Sequence, residues 1–421
     1  MDALATVQHI LNLPSWDQHA HVSELRAALR SLDAAAAQTL RVQAITALDE
    51  ALVSQPGAEP WLHWPDGPAL ETLLWMAQVR PDVCEGLPAD LWRRRVYGHG
   101  VLYRGADHAT RAALKAELDG LLDEALARFP ALASADRSVR WGDPLLSPEI
   151  REQIGELAQS AGWRRLNVGL RMLAWTGDEA TSVWFARRSA VLPWSAVFYR
   201  AADEYMSEGG WESGVTGRRR ELTYPVAYQL RESNEVGGGA PRAVRILTPL
   251  EQQCRWCGRR LSALFDLDLT HKALAFLQLP GTRLRLALCE ECSLWERIYF
   301  NVDLQGDVHW SDYSAPLGPP DTGTPGELLF SPPAYQLPLG PRCASPYEVV
   351  AGDDVDATSQ LGGMPGWVQD AEYVRCPACS KRMLFVGQIL VEEITDLAID
   401  GVLYALLCPA CRVSTVTYQC T

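Results

Sequence analysis

Apolar residues in the first half of the chain recur at helical spacing. Leu40, Ala44, Leu48 and Leu52 fall on one stripe at every fourth position, and a broader apolar face runs from Leu114 to Phe129. A repeat of three to four residues between apolar positions is the pattern of a helix that packs one side on a core. The first half is therefore predicted to be helical.

Helix-starting and helix-stopping residues flank these faces. The helix with the broad face is predicted to be capped by Thr110 and to end at Pro130. A threonine hydroxyl can accept a hydrogen bond from a free backbone amide of the first turn, and proline cannot continue a helix. Ser147-Pro148 predicts another helix start, with proline at the first helical position. Thr176-Gly-Asp-Glu179 fits a capping box that starts a third helix. Helices of this kind could stack as an irregular solenoid, although the sequence has no fixed period.

The pattern changes after Pro193, where the helical spacing weakens and flexible, glycine-containing stretches follow. Short apolar stretches then follow cysteine pairs, which favours small β-rich units. We therefore predict an α+β protein with four parts. They are a mainly helical domain over 1–235, a first zinc-ribbon unit over 241–312, a Pro/Gly-rich connector over 313–345 and a second zinc-ribbon unit over 346–421.

Eight of the 11 cysteines form Cys-x-x-Cys pairs, and the pairs themselves come in twos. The pairs of the first set are 31 residues apart and those of the second 28, so each unit is expected to carry an extra hairpin between its pairs. Four thiolates match the closed tetrahedral shell of structural zinc, which leaves no position for a catalytic water. A redox dithiol is the weaker alternative because every pair has a partner pair. We predict two zinc ions per chain, bound by Cys254, Cys257, Cys289, Cys292, Cys376, Cys379, Cys408 and Cys411.

The two four-cysteine units look like copies of one another. Cys254-Arg-Trp-Cys257-Gly-Arg-Arg-Leu261 aligns with Cys376-Pro-Ala-Cys379-Ser-Lys-Arg-Met383. A tyrosine, Tyr299 or Tyr418, stands seven residues after the last cysteine of each unit. Such self-similarity indicates an internal duplication, and both units are predicted to share their strand order.

Charge bears on the class of partner. The formal charge is −14, and two four-thiolate zinc sites would make it about −18. A field of this sign repels phosphate, which argues against general nucleic-acid binding. The basic runs Arg93–Arg95 and Arg218–Arg220 are interpreted as solvated faces or partners of acidic neighbours. A basic stripe from Arg255 to Arg260 across the first ribbon would instead favour nucleic acid.

The sequence contains no pattern of a signal peptide or a membrane span, so a cytoplasmic protein without membrane contact is expected. In that reducing compartment, metal binding explains paired cysteines better than disulfides do. The three cysteines outside the pairs, Cys84, Cys343 and Cys420, are expected to be packing residues.

The sequence shows no familiar catalytic motif. It lacks His-Glu-x-x-His, a phosphate-binding loop and Gly-x-Ser-x-Gly, so we assign no catalytic residue and no organic-cofactor site. Gly98-His99-Gly100 is interpreted as a turn. An enzyme of unrecognised type with its site in the helical half is the alternative, and an acidic cleft with a perturbed carboxylate pair would support it.

The C-terminal part of the chain carries a recognisable pattern of motifs. It comprises Leu361-Gly-Gly-Met-Pro-Gly-Trp-Val-Gln-Asp370, Cys376-x-x-Cys379, Met383, Gln388, Gly401-Val-Leu-Tyr404, Cys408-x-x-Cys411 and Tyr418. Over roughly the last 80 residues this pattern resembles the YwqG-like family of bacterial proteins. The Gly-Gly-x-Pro-x-Trp stretch also resembles, more distantly, the programmed cell death protein 2 family. Within this stretch, Trp367 is predicted to pack the Gly-Gly-x-Pro turn against the ribbon.

Both resemblances imply binding to protein rather than catalysis. A link to toxin and immunity loci is suggested for the YwqG-like family, and the programmed cell death protein 2 family is associated with escorting a ribosomal protein. The sequence therefore predicts a non-catalytic zinc-binding protein that recognises a protein partner, such as an immunity or chaperone-like factor.

Overall fold

The structure is a computed structural model that describes residues 2–13, 21–54, 68–96, 100–130, 147–189, 202–214, 218–230, 243–314, 338–348, 358–395 and 400–420. The chain divides into two compact units, Met1–Glu221 and Leu222–Thr421, called here the helical unit and the β unit. The predicted α+β class is confirmed, because helices dominate the first unit and strands the second. Residues 98 and 99 and residues 315–337 of the predicted connector lie outside the described ranges.

The helical unit consists of α-helices followed by a two-stranded antiparallel ribbon. The predicted stripe on the third helix is confirmed where Leu40, Ala44 and Leu48 are buried. The helices are α1 (Ala3–Leu11), α2 (Val22–Ser31), α3 (Ala34–Ser54), α4 (Pro68–Val79), α5 (Leu87–Arg93), α6 (His108–Arg128), α7 (Pro148–Gln159), α8 (Ala161–Thr176), α9 (Glu179–Ser189) and α10 (Ala202–Glu208), and the ribbon is β1 (Trp211–Ser213) with β2 (Arg219–Glu221).

Two predicted helix starts have different outcomes. At α7 the prediction is confirmed: the Ser147 hydroxyl accepts a hydrogen bond from the Ile150 amide at 3.3 Å. At α6 the predicted cap was wrong, because the Thr110 amide donates to the Asp107 carboxylate at 2.7 Å. Aspartate caps a helix as well as threonine does, and Asp107 stands three residues before the amide that needs an acceptor.

The capping box proposed for Thr176–Glu179 was also wrong. Thr176 is the last residue of α8, and Gly177 turns the chain with a left-handed φ of 43°. The Asp178 carboxylate then accepts a hydrogen bond from the Thr181 amide at 2.6 Å and caps α9. Glycine ends the first helix because it adopts positive φ at low cost, and this shifts the next cap by two residues.

Gly100 packs against a tryptophan ring. It begins a short 3₁₀ turn, Gly100–Tyr103, and a Cβ at this position would lie 2.0 Å from Cδ1 of Trp175. Such a contact is impossible without movement of the ring or the backbone. A packing requirement in the helical unit therefore explains this glycine.

We expect Gly100→Ala to destabilise the helical unit by about 1–3 kcal/mol, the usual range for overpacking a core. Chemical denaturation of the full chain, followed by tryptophan fluorescence, measures this loss. Gly120→Ala is the matched control: Gly120 lies inside α6, and a Cβ added there would meet no neighbouring atom within 4 Å, so this substitution should stabilise by about 0.5–1 kcal/mol. Equal effects of the two substitutions would contradict the packing argument.

The β unit contains an eight-stranded and a three-stranded antiparallel sheet. The strands are β3 (Ala227–Leu230), β4 (Val244–Gln253), β5 (Arg260–Asp268), β6 (Arg283–Leu288), β7 (Tyr299–Val302), β8 (Val308–Trp310), β9 (Leu339–Arg342), β10 (Gln360–Gly362), β11 (Leu384–Leu390), β12 (Val402–Cys408) and β13 (Val413–Gln419). Their order is β8-β7-β13-β12-β11-β10-β3-β9 in the larger sheet and β4-β5-β6 in the smaller. Both sheets contribute buried side chains to one apolar core.

The β5–β6 and β11–β12 pairs, called here the first and second hairpins, have the same register relative to the cysteines. Ser262, five residues after Cys257, lies opposite Leu288, the residue before Cys289. Leu384 and Leu407 occupy the corresponding positions in the second hairpin. Because a one-residue slip would turn every side chain to the other face, a shared register means that equivalent positions face the same way.

A β-bulge also occurs at the same position in both hairpins. The register shifts at Leu264 in the first and at Val386 in the second, and both residues are buried in the shared core. The positions that follow the bulges, Phe265 and Gly387, meet each other: a Cβ on Gly387 would lie 2.9 Å from Cζ of Phe265. The two hairpins therefore pack with equivalent faces together, and the missing side chain of Gly387 makes room for the Phe265 ring.

The strand before each hairpin also pairs with it at an equivalent register. Arg245 on β4 lies opposite Asp266, and Gln360 on β10 lies opposite Gln388 at the equivalent register. Two residues further along, Leu247 and Gly362 both have left-handed φ, of 46° and 73°. The chain then differs in length: six residues (248–253, the first connection) lead to Cys254, and thirteen (363–375, the second connection) lead to Cys376.

The strand after each hairpin pairs differently in the two units. β13 runs beside β12 of its own hairpin, whereas β7 pairs with β13 rather than with β6, placing Tyr299 opposite Thr415. The turns after the last cysteines of the two sets also differ. Arg412, with a left-handed φ of 55°, sends the chain straight back, while Cys292–Leu294 forms a 3₁₀ turn that leads it away. The predicted common strand order is right for the hairpins and wrong for this strand.

Candidate metal centres

The first cysteine pair of each set lies on a tight turn. The Cys254 amide donates to the Arg259 carbonyl at 2.7 Å, and the Gly258 amide donates to the Cys254 carbonyl at 2.9 Å. Gly258 has a φ of 76°, the left-handed conformation that lets the chain reverse after the second thiol. These bonds hold both thiols on the same side of the turn.

The same turn occurs at the second set. The Cys376 amide donates to the Lys381 carbonyl at 2.8 Å, and the Ser380 amide donates to the Cys376 carbonyl at 2.7 Å. Ser380 takes the left-handed position with a φ of 62°, although it is not glycine. A non-glycine residue in this conformation costs about 1 kcal/mol or more, so the surrounding bonds must impose the turn.

The second cysteine pair of each set follows the hairpin directly. The Ser293 amide donates to the Cys289 carbonyl at 2.9 Å, and the Arg412 amide donates to the Cys408 carbonyl at 2.8 Å. Because both hairpins have the same register, each brings its second pair next to its own first pair. The structure thus gathers the eight predicted residues into two clusters of four: Cys254, Cys257, Cys289 and Cys292, called the first cluster, and Cys376, Cys379, Cys408 and Cys411, called the second.

The sulfur separations fit a tetrahedral ion. In the first cluster Cys254 Sγ and Cys292 Sγ are 3.9 Å apart, and Cys257 Sγ and Cys289 Sγ are 3.4 Å apart. In the second, Cys379 Sγ and Cys408 Sγ are 3.8 Å apart. Four sulfurs at ~2.3 Å from a central zinc would be ~3.8 Å from each other, whereas a disulfide needs ~2.05 Å. Each cluster could therefore hold one metal ion.

The thiols in each cluster perturb one another. In the first, hydrogen bonds from the Cys289 and Cys292 thiols lower the pKa of Cys254, and the same interaction with Cys254 raises the pKa of Cys292. In the second, the Lys381 amide lowers the pKa of Cys379, while burial raises the pKa of Cys408 to about 12. In a crowded cluster, a thiolate is stabilised by hydrogen bonds from neighbouring thiols that keep their protons. When a divalent metal binds, it displaces these protons and all four cysteines become thiolates.

Two of the three cysteines outside the pairs occupy packed positions. Burial raises the pKa of Cys84 to about 12, which disfavours a reactive thiolate, and this side chain packs against the core around α2 and α4. Cys343 is buried in the β unit. Packing roles are therefore confirmed for these two residues, while Cys420 is partly exposed.

Most arginine side chains of the two basic runs form ion pairs with acidic neighbours, as predicted. The stripe from Arg255 to Arg260 is interrupted as well, because Arg259 pairs with Glu291 at 3.0 Å and Arg260 donates to the Leu250 carbonyl. Ion pairs within the predicted runs join Arg93 to Asp90, Arg94 to Asp49, Arg95 to Glu117, Arg219 to Glu221 and Arg220 to Glu212. Acidic neighbours therefore offset much of the positive charge of these runs in the part of the chain that the structure describes.

Trp367 packs as predicted. Its ring lies 4.4 Å from the Tyr404 ring and meets the Tyr373 ring edge-on at 5.2 Å. The neighbouring Gly366 amide donates to Gln388 Oε1 at 2.9 Å, and the Tyr404 hydroxyl donates to the Gly366 carbonyl at 2.6 Å. The second connection thus covers the side of the second hairpin that faces away from the shared core.

A group of charged residues on the first hairpin was not singled out from the sequence. Asp266 has no exposed side-chain surface and pairs with Arg245, Arg283 and Arg285. The sequence carried a signal that could have found it: Asp266 and Asp268 stand inside the otherwise apolar stretch Leu264–Leu269, and a charge buried in a strand requires partners.

The chain is similar to the uncharacterised protein YpfL of Salmonella typhimurium, a curated protein. The two are 29% identical over 284 residues, which cover 65% of this chain. The match covers 63% of YpfL, so the chain spans less than two thirds of that relative. No family model and no solved structure matches the chain. Within the described ranges, no helix is both long and apolar enough to cross a lipid bilayer.

Proposed function

We propose that this chain is a cytoplasmic, non-catalytic protein that binds two structural zinc ions and recognises another protein. The observation that carries the zinc assignment is the pair of four-thiol clusters, each with sulfur separations that suit a tetrahedral ion. Four cysteines complete the shell of zinc, so no coordination position remains for a water nucleophile. Cysteine-only sites of this kind hold small β-rich modules together.

An exposed tryptophan supports protein recognition. Trp295 follows the last cysteine of the first cluster and is 80% exposed. Its amide donates to the Cys292 carbonyl at 3.3 Å, so the zinc turn would hold this residue at the surface. Tryptophan dominates binding energy at protein interfaces, and a rigid support lowers the entropy lost on binding.

The charge of the chain supports a protein partner over nucleic acid. The formal charge of −14 opposes phosphate, and many of the basic side chains that could overcome it are engaged with acidic ones. The resemblance of the C-terminal residues to the YwqG-like proteins adds an immunity or chaperone-like role to this proposal. Trp367, the most distinctive residue of that resemblance, is half-buried and packs on the Tyr404 and Tyr373 rings, which supports a packing role for it in the β unit.

The proposed function is tested by capture of the tagged full chain from a native bacterial host. We expect one or a few proteins to co-purify in near-stoichiometric amounts with the wild type. Trp295→Ala should weaken the binding of the purified partner roughly 30-fold, the effect of removing a hot-spot side chain. Val53→Ala, which trims another side chain that is 80% exposed, should leave it unchanged. The recognition proposal falls if nothing is enriched over an unrelated acidic control protein.

A further inference from the structure

The two hairpins differ most on the faces turned away from their shared core, called here the outward faces. In the second hairpin, Gln388 lies opposite Tyr404 and Leu390 lies opposite Val402. At the same register in the first hairpin, Asp266 lies opposite Arg285 and Asp268 lies opposite Arg283. Polar and apolar positions of one hairpin thus correspond to charged positions of the other.

The outward face of the second hairpin binds the backbone of the second connection. Gln388 accepts the Gly366 amide, Tyr404 donates to the Gly366 carbonyl, and the Tyr404 oxygen also accepts the Val368 amide at 3.1 Å. Gln360 Nε2 donates to the Met364 carbonyl at 2.6 Å. Three side chains of the sheet therefore bind the backbone of the second connection.

The first hairpin and the neighbouring strand β4 present three charged side chains at the register of those three. Asp266 corresponds to Gln388, Arg285 to Tyr404 and Arg245 to Gln360. The first connection is seven residues shorter than the second. It is therefore too short to cover the first hairpin in the way that the second connection covers the second hairpin. The positions that bind backbone on the second hairpin are thus occupied by a carboxylate and two guanidinium groups at the first.

The three arginines share one buried carboxylate. Arg283 binds both Asp266 oxygens, with Nε 2.7 Å from Oδ1 and Nη2 2.5 Å from Oδ2, while Arg245 Nη2 and Arg285 Nε lie 3.3 and 3.5 Å from Oδ2. Asp266 holds the guanidinium groups in place and cancels one of their three charges. Asp268 neighbours Arg245 and Arg283, so these five charged groups together sum to +1 in an acidic protein.

These side chains remain accessible. The Arg245, Arg283 and Arg285 side chains are 51%, 32% and 25% exposed. Arg285 Nη1 also donates to the Gly306 carbonyl at 3.3 Å, which fixes its orientation. Each guanidinium has five N–H donors in a planar fork, more than Asp266 can use, and carboxylates match that fork in charge and shape.

We propose that the outward face of the first hairpin binds an extended segment of the partner protein that carries Asp or Glu side chains. This inference rests on the proposed function, since it names the chemistry of the protein that is recognised. The segment would take the place that the second connection takes on the second hairpin. Its backbone carbonyls meet the exposed guanidinium groups of Arg245 and Arg285, which replace Gln360 and Tyr404, and its carboxylates pair with Arg245 and Arg283.

A displayed library of random short peptides, selected on the metal-loaded full chain, supplies the probe. We expect the selected peptides to be enriched in Asp and Glu over the starting library. One of them, labelled for fluorescence anisotropy, should bind Arg245→Gln roughly tenfold more weakly than wild type. Its counterpart with every Asp and Glu changed to Asn and Gln should lose affinity to a similar degree, and added salt should weaken the acidic peptide.

Arg255→Gln is the matched control, because Arg255 is an exposed arginine of the same unit and the substitution removes the same charge. It should leave peptide affinity unchanged, and a thermal melt checks that both variants stay folded. Selected peptides without acidic residues, an absence of binders, or equal losses in the two variants would overturn the inference. If the captured partner binds Arg245→Gln as well as wild type, the proposed function stands and this inference falls. If no partner is captured, the proposed function falls.

Discussion

Chelation of metal from the purified full chain is expected to unfold the β unit and leave the helical unit folded. Both four-cysteine clusters lie in the β unit, and a structural zinc contributes ~10 kcal/mol or more of apparent folding free energy in small modules. The core around α1, α2 and α4 contains no cluster residue, so its packing does not depend on metal. Hydrogen exchange read by mass spectrometry should rise steeply over 243–314 and 358–420 and stay unchanged over 21–54.

Metal analysis provides the companion measurement. Protein purified without chelator should carry about two equivalents of zinc, one for each cluster. Less than one equivalent, or an exchange pattern that does not respond to chelation, would show that the clusters are empty or dispensable. Re-addition of zinc should restore protection in the β unit, which separates loss of metal from irreversible aggregation.

Loss of a single cysteine from the first cluster is expected to loosen the second hairpin as well. The strand that follows the first cluster, β7, pairs with β13 of the larger sheet. Thr415 Oγ1 donates to the Ile298 carbonyl at 2.7 Å, and the Val302 amide donates to the Arg412 carbonyl at 2.9 Å. Cys289→Ser removes a ligand from the first cluster, so β7 should lose its anchor and β13 its neighbour.

We expect Cys289→Ser to cost roughly 5 kcal/mol or more, which lowers the Tm of a unit of this size by ~10–20 °C. Exchange of the β13 amides should rise even though the second cluster keeps its four thiols. Cys420→Ser is the control: the same chemical change, in the same unit, at a cysteine outside both clusters. If protection of β13 survives in Cys289→Ser, the two zinc sites stabilise independent modules.

The two copies show which parts of a duplicated zinc module are free to change. The cysteine turns, the hairpin register and the bulge are common to both, since together they bring four thiols to one point. The faces that pack in the shared core stay apolar in both hairpins, because each covers the other. The outward faces carry no such constraint, and one holds its own connection while the other holds Asp266 with its arginines.

The sequence predicted structure correctly where that structure depends on residues close together in the chain. Helical spacing located α3 and α6, Ser147-Pro148 located the start of α7, and four Cys-x-x-Cys pairs located both clusters. Each depends on residues only a few positions apart, or on thiols whose spacing leaves one plausible grouping. The helix caps at Asp107 and Asp178 were missed because several polar residues near a helix start can accept the same amide.

The amino-acid sequence was enough to predict the α+β class, the helical first half and the residues of two four-thiol clusters, because periodicity and cysteine spacing are visible along the chain. It could not determine that β7 leaves its own hairpin to pair with β13, since strand pairing depends on contacts between residues more than a hundred positions apart. It also did not show that Asp266 collects Arg245, Arg283 and Arg285. Only the tertiary register of three strands brings these four side chains to one face, and that register is a property of the folded sheet.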